Sequence, residues 1–173
     1  MDDRRDIWMV RVGDGKNFKG SKKKIWGMKR GYNNCILTII KKIKEGDVLA
    51  FHSNKEGGSK LLGFAHYIKH HDQQDEPLVS INCLSNEELG WIGDESWTIQ
   101  IHYENLYNTS KQNILIKYQC AAIISNYDKI IFNQDDKIIK NMKKSWFCSG
   151  VNNLDEYCLR KHYENFINYA EPT

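Results

Sequence analysis

Trp26 and Gly27 are the residues of this 173-residue chain on which a flat ligand could rest. An indole presents a broad π-face, and a neighbour without a side chain leaves that face open. The pair lies in a basic stretch. Between residues 16 and 44 the charged side chains are Lys16, Lys19, Lys22, Lys23, Lys24, Lys29, Arg30, Lys41, Lys42 and Lys44, with no acid among them. Stacking surface beside clustered cations suits a nucleic acid, whose bases stack and whose phosphates attract positive charge. A charge run by itself is most often a solvated face. Its coincidence with Trp26 is what gives it a second meaning. The acids gather elsewhere: Asp72, Asp75, Glu76, Glu87, Glu88, Asp94, Glu95 and Glu104 follow one another with no Lys or Arg between them.

Other reactive types offer less. His66, His70 and His71 have no third carboxylate or cysteine at a ligand spacing, so they read as surface histidines and no metal is expected. The five cysteines (Cys35, Cys83, Cys120, Cys148, Cys158) are odd in number and form no CxxC, which argues for reduced thiols without zinc. Cys35 falls in a predicted helix and is expected to face the core. GxSxG, HExxH, P-loop and GxGxxG patterns are all missing, and no nucleophile is paired with a base. No cofactor is expected. Tryptophans are usually packing residues, and Trp8, Trp97 and Trp146 are assigned to the core on that ground. Trp91 sits in Leu89-Gly90-Trp91-Ile92-Gly93, an aromatic between glycines that is either a core plug or a flap.

The elements that must position these residues follow from periodicity. Residues 6–12 alternate and favour β structure. Residues 17–24 read as a basic loop or a single helical turn, and 28–34 as a Gly- and Asn-rich loop. Residues 35–44 place Ile36, Ile39, Ile40 and Ile43 at the spacing of one helical face. Glu45-Gly46-Asp47 is a turn into a hairpin of strands at 48–53 and 60–68. Further strands are predicted at 78–84, 97–103 and 112–122. A terminal helix over 153–169 has Asn153 as N-cap and Leu154, Cys158, His162, Phe166 and Tyr169 along one face. Six strands with short helices predict an α+β fold, a curved mixed sheet closing toward a barrel.

Hydrophobic residues make up 40% and charged residues 27%, the balance of one globular domain with a real core rather than a disordered chain. No run of eighteen apolar residues occurs, so no membrane span is expected. The N-terminus, MDDRRDIW, lacks the apolar centre of a signal peptide, which suggests an intracellular protein, cytoplasmic or nuclear. The whole of 1–173 reads as a single domain with a core at about 6–124 and a C-terminal extension.

Four segments, in order, carry a resemblance: Asp6-Ile7-Trp8-Met9-Val10-Arg11-Val12, Ile25-Trp26-Gly27, Lys44-Glu45-Gly46-Asp47-Val48-Leu49-Ala50-Phe51 and Leu61-Leu62-Gly63-Phe64-Ala65. Together they resemble the EVE domain and, more distantly, the YTH domain, both of the PUA-like superfamily. The resemblance covers roughly residues 6–124. It implies a PUA-like fold and an aromatic cage for a modified nucleobase, with Trp26 as its first wall and Gly27 where YTH domains often carry serine. Asn17 falls near a YTH asparagine that contacts the base. The second wall is expected from the loop after the strand at 78–84, with Trp91 ahead of Trp97.

Two functional classes follow. The first is a non-catalytic nucleic-acid reader, RNA- or DNA-binding, with Trp26, Gly27, Asn17 and Trp91 on the base. Lys22, Lys23, Lys24, Lys29 and Arg30 would then lie on the phosphates of a single strand or of a strand with a flipped base. The second is a PUA-like enzyme using Cys35, His66 or Lys24 in the same cavity. A module that binds an acidic protein partner is a weaker third. The reader is favoured, because stacking and charge are evident in the chain and a catalytic pair is not.

Overall fold

A computed structural model describes residues 5–73, 83–116, 122–125 and 159–173. In chain order the elements are β1 (Ile7–Arg11), α1 (Lys16–Gly20), β2 (Ile25–Met28), α2 (Cys35–Ile40), β3 (Val48–His52), β4 (Leu61–Asp72), α3 (Asn86–Leu89), β5 (Ile99–Asn108), β6 (Ile123–Ser125) and α4 (Leu159–Tyr169). The strands form one mixed sheet in the order β2-β5-β4-β3-β1-β6. Among the described residues only the β1–β3 pair is parallel. The sheet curls into a half-barrel, the α+β, PUA-like architecture that the sequence suggests. Register shifts at Phe51/His52, Phe64/His66 and Tyr67/Lys69 mark bulges, which bend a strand and increase its twist.

Period-2 alternation sends the side chains of β1, β3 and β4 to two separate cores. On one face Trp8, Val10, Leu49, Phe51, Leu62, Tyr67, Ile99, Ile101 and Tyr103 pack with Phe18 of α1 and with Leu37, Ile40 and Ile43. On the other, Ile7, Met9, Val48, Ala50, Leu61, Phe64 and Tyr107 pack with Leu159 and Tyr163 of α4. The predicted terminal helix is therefore present from Leu159, and it covers the sheet. Its expected start at residue 153 lies outside the described residues. So do Cys120, Trp146, Cys148 and Cys158. Among the described residues no helix is long and apolar enough to cross a membrane.

The turn between α2 and β3 is fixed by Asp47. Its buried carboxylate accepts hydrogen bonds from the Trp8 indole Nε1–H at 3.0 Å and from the Lys44 backbone N–H at 2.9 Å. The Trp8 side chain thus joins the core and also ties β1 to the start of β3.

Three expectations change. The helix at 35–44 is regular only to Ile40, and tighter turns then carry Ile43 into the core. Cys35 does not face the core: it is exposed, because it lies roughly 140–160° around the helix from Leu37 and Ile40. Residues 112–116 are no regular strand. Ser110–Gln112 is a 3-10 turn, Asn113 is left-handed, and only Leu115 bridges to Lys60. At the strand predicted over 78–84, residues 78–82 lie outside the described residues. The Leu84 backbone bonds the Gln100 side-chain amide through both its N–H and its C=O.

Histidine burial makes stability depend on pH. Burial, opposed by the hydrogen bond to the Ser53 carbonyl and aided by the Arg11 charge, lowers the His52 pKa to about 4. The unfolded chain, with His near its ordinary 6.5, binds the proton more readily. Stability is therefore full above pH 6.5 and falls as the pH drops toward 4, by up to about 1.4 kcal/mol per pH unit. His66 and His102, also lowered chiefly by burial, act in the same direction. Urea midpoints at pH 7, 5.5 and 4.5 should decrease in that order, and His52→Gln should reduce the slope.

Candidate nucleobase site

The two edge strands of the curled sheet are β2 and β6, and a cavity of about 400 Å³ is bounded by both ends of the sheet. Trp26, Gly27 and Met28 of β2 line one side. Ala122, which leads into β6, and Arg11 and Val12 at the end of β1 line another. Trp91, Glu95 and Trp97 come from the segment before β5, and Asp14 and Asn17 from the start of α1. Curling of the sheet, and not any one loop, is what creates the space.

Three indoles meet here. The Trp26 and Trp91 rings are 4.7 Å apart at 43°, and Trp91 meets Trp97 edge-on at 6.2 Å. Gly27 is what allows this. A Cβ on Gly27 would lie 2.5 Å from the Trp97 Cβ and 3.2 Å from the Trp91 ring. Trp91 is buried with Ile25 and Leu89 in a small third core, with Trp26 and Trp97 partly buried against it. Of the plug and the flap between which the sequence left a choice, its burial fits the plug, and it also lines the cavity. Its indole Nε1–H is buried and has no acceptor among the described residues. An unmet buried donor costs about 1–3 kcal/mol, which is unusual in a settled core.

The segment that carries Trp91 is held at three points. Ser85 and Glu88 form a capping box on α3, and Gly90 ends that helix in the left-handed conformation with φ 78°. The Asn86 side chain donates to the Gly93 and Glu95 carbonyls. The Asn17 amide bonds the Ile92 backbone in both senses, donating to its carbonyl at 3.3 Å and accepting from its N–H at 3.0 Å. Asn17 lines the cavity, but its polar atoms are engaged on the chain itself. Here it positions the Trp91 loop.

No protein-family model matches the chain, and no curated protein matches it.

The basic residues divide into three groups. Lys29 lines the tryptophan cavity. Its ammonium is 3.2 Å from the Glu95 carboxylate and 5.7 Å from the centre of the Trp97 ring. Arg30 does not extend freely from the surface: Nη1–H donates to Asp72 at 2.6 Å and Nε–H to Asn34 at 3.0 Å, in a largely buried ion pair. Lys22, Lys23 and Lys24 are exposed and, with Lys19, line a separate cavity of about 290 Å³. Phe18, edge-on to Trp26 at 6.3 Å, stands between the two. The charges segregated in the sequence therefore partly neutralise each other in space, and Lys19 and Lys22–Lys24 keep a cationic surface one residue-width from the indoles.

Trp97, assigned to the core and second to Trp91 as a wall, is partly buried against the third core and also lines the cavity. It continues the alternation of Ile99, Ile101 and Tyr103, but β5 begins only at Ile99 and Trp97 turns toward Gly27 instead. Cys35 and His66 are not among the residues that line this cavity, and Lys24 belongs to the other one. His66 is on the opposite side of the sheet, where its Nε2 shares a 2.7 Å hydrogen bond with the Tyr163 hydroxyl.

Proposed function

We propose that this protein is a nucleic-acid reader with an EVE-like, PUA-like domain. It holds one modified nucleobase, turned out of its strand, among Trp26, Trp91 and Trp97. The observation that carries the reading is the meeting of three indoles around Gly27 at one cavity large enough for a base. A base has two π-faces, and stacking on an aromatic side chain contributes about 1–3 kcal/mol. A methyl group gains only about 0.8 kcal/mol from a dry surface, so discrimination needs edge hydrogen bonds as well. The buried Trp91 Nε1–H, which has no acceptor among the described residues, is a candidate donor for that edge.

Lys19, Lys22, Lys23 and Lys24 take the adjoining phosphates in this reading, and Arg30 serves the fold. Single-stranded binding should lose about 0.7 in the slope of log affinity against log salt for each phosphate contact removed. Replacing Lys22, Lys23 and Lys24 together by Gln should flatten the slope by about 2, equally for all sequences. Arg30→Gln should lower stability instead, because it removes the ion pair that Arg30 makes with the buried Asp72 carboxylate. A slope unchanged by the triple replacement would remove these lysines from the interface.

The reading is tested by binding to single-stranded oligonucleotides that each carry one defined base modification, followed by nucleoside analysis of the recovered strand. Preferential binding of one modification with the nucleoside unchanged supports a reader. Conversion of the nucleoside would make the protein an enzyme. Equal binding of all oligonucleotides would remove the cage from recognition.

A further inference from the structure

Lys29 and Glu95 form an ion pair in the tryptophan cavity. Both side chains line the tryptophan cavity, and both are more than half exposed, so either can swing into solvent. In this structure the Lys29 ammonium lies over the Trp97 ring with the Glu95 carboxylate at 3.2 Å. An ammonium over an indole with an acid beside it is how a cation is held by an aromatic site. The chain's own lysine fills the place.

We propose that the cage selects a base carrying a formal positive charge, such as one alkylated on a ring nitrogen, with Glu95 as its counter-ion and Lys29 as the ammonium that it displaces. The inference rests on the nucleobase reading above. Displacing Lys29 with a neutral base would leave the Glu95 carboxylate without its cation and the Trp97 face without a charge. A charged base replaces one cation by another and adds flat area against the indole surface of Trp26 and Trp97, which are only partly buried. Two further charges border the cavity, Asp14 and Arg11. They are opposite in sign, so neither kind of base is favoured by their sum. Lys29 is the internal competitor, which sets the affinity without taking part in the bound state.

The test uses the full chain and two isomeric probes, single-stranded oligonucleotides carrying either 1-methyladenosine, which is cationic at neutral pH, or N6-methyladenosine, which is neutral. Binding is followed by indole fluorescence. The charged isomer should bind on the order of tenfold more tightly. Glu95→Gln should erase that preference, and Lys29→Met should tighten the charged isomer. Both residues are exposed, so the variants keep the fold, which circular dichroism verifies. Equal or weaker binding of the charged isomer overturns the inference while leaving the reader in place. So does a preference that survives Glu95→Gln, or a loss of affinity for both isomers in Lys29→Met, which would make Lys29 a phosphate contact. Failure of both probes, and of every other modified base, to bind would overturn the reader as well.

Discussion

Trp26→Ala is expected to weaken binding of the preferred oligonucleotide by about tenfold to a hundredfold while leaving a folded protein. Trp26 sits on edge strand β2 and is only partly buried, packed on Phe18 and Trp91. Its removal takes away one stacking face and part of a small core. A fully buried tryptophan would cost about 3–5 kcal/mol on truncation, and this position should lose roughly half of that. Trp26→Phe keeps a π-face and should recover most of the affinity. Isothermal titration of the three proteins checks this. Equal affinity for wild type and Trp26→Ala would mean that the ligand does not stack there.

Gly27→Ala should act more broadly. The added methyl would meet the Trp97 Cβ at 2.5 Å and its Cγ at 2.9 Å, closer than side chains pack. Gly27 is paired with Gln100 in the sheet and cannot retreat without breaking the β2–β5 register. Trp97 must therefore move, and it carries one wall of the cavity with it. Overpacking of this kind costs about 1–3 kcal/mol. Binding should fall at least as far as in Trp26→Ala, since two indoles are displaced rather than one removed. A Gly27→Ala protein with native affinity would show that Trp97 is not part of the site.

How much of this was legible in the chain depended on which interactions are local. The strands at 7–11, 48–52 and 61–68 declare themselves by β-favouring, mostly apolar residues and by the Gly-Asp turn before β3, because a sheet buried on both faces needs apolar residues on both sides. β4 runs on to Asp72 through Lys69, His70 and His71, where no such pattern announces it. The stretch 112–116 alternates equally well and is no regular strand. Asn113 takes a left-handed conformation there, and a three-residue turn precedes it. The Trp26-Gly27 pair was legible as a place for a flat ligand, and Trp97 only as the second choice behind Trp91 for a wall. Trp97 belongs by pattern to β5, and only the contact with Gly27 across the sheet edge turns it away. The helix that positions Trp91 was missed, although Ser85 followed three residues later by Glu88 is its capping signal. Asn17 was found for a base edge and is spent on Ile92. Arg30 was found for phosphate and is held by Asp72. In both cases the partner lies more than 40 positions away, beyond the reach of local pattern.

The central claim is that the indoles at the sheet edge receive a base. The most direct measurement is the set of indole N–H resonances in a two-dimensional nitrogen–proton spectrum, recorded while an oligonucleotide with the preferred modification is added. The account predicts that the Trp26, Trp91 and Trp97 signals shift together and saturate at one equivalent, with the largest change at Trp91, whose N–H gains an acceptor. The Trp8 signal, bonded to Asp47 in the main core, should stay in place. Shifts confined to backbone amides of residues 19–24, with all three cage indoles unmoved, would contradict it.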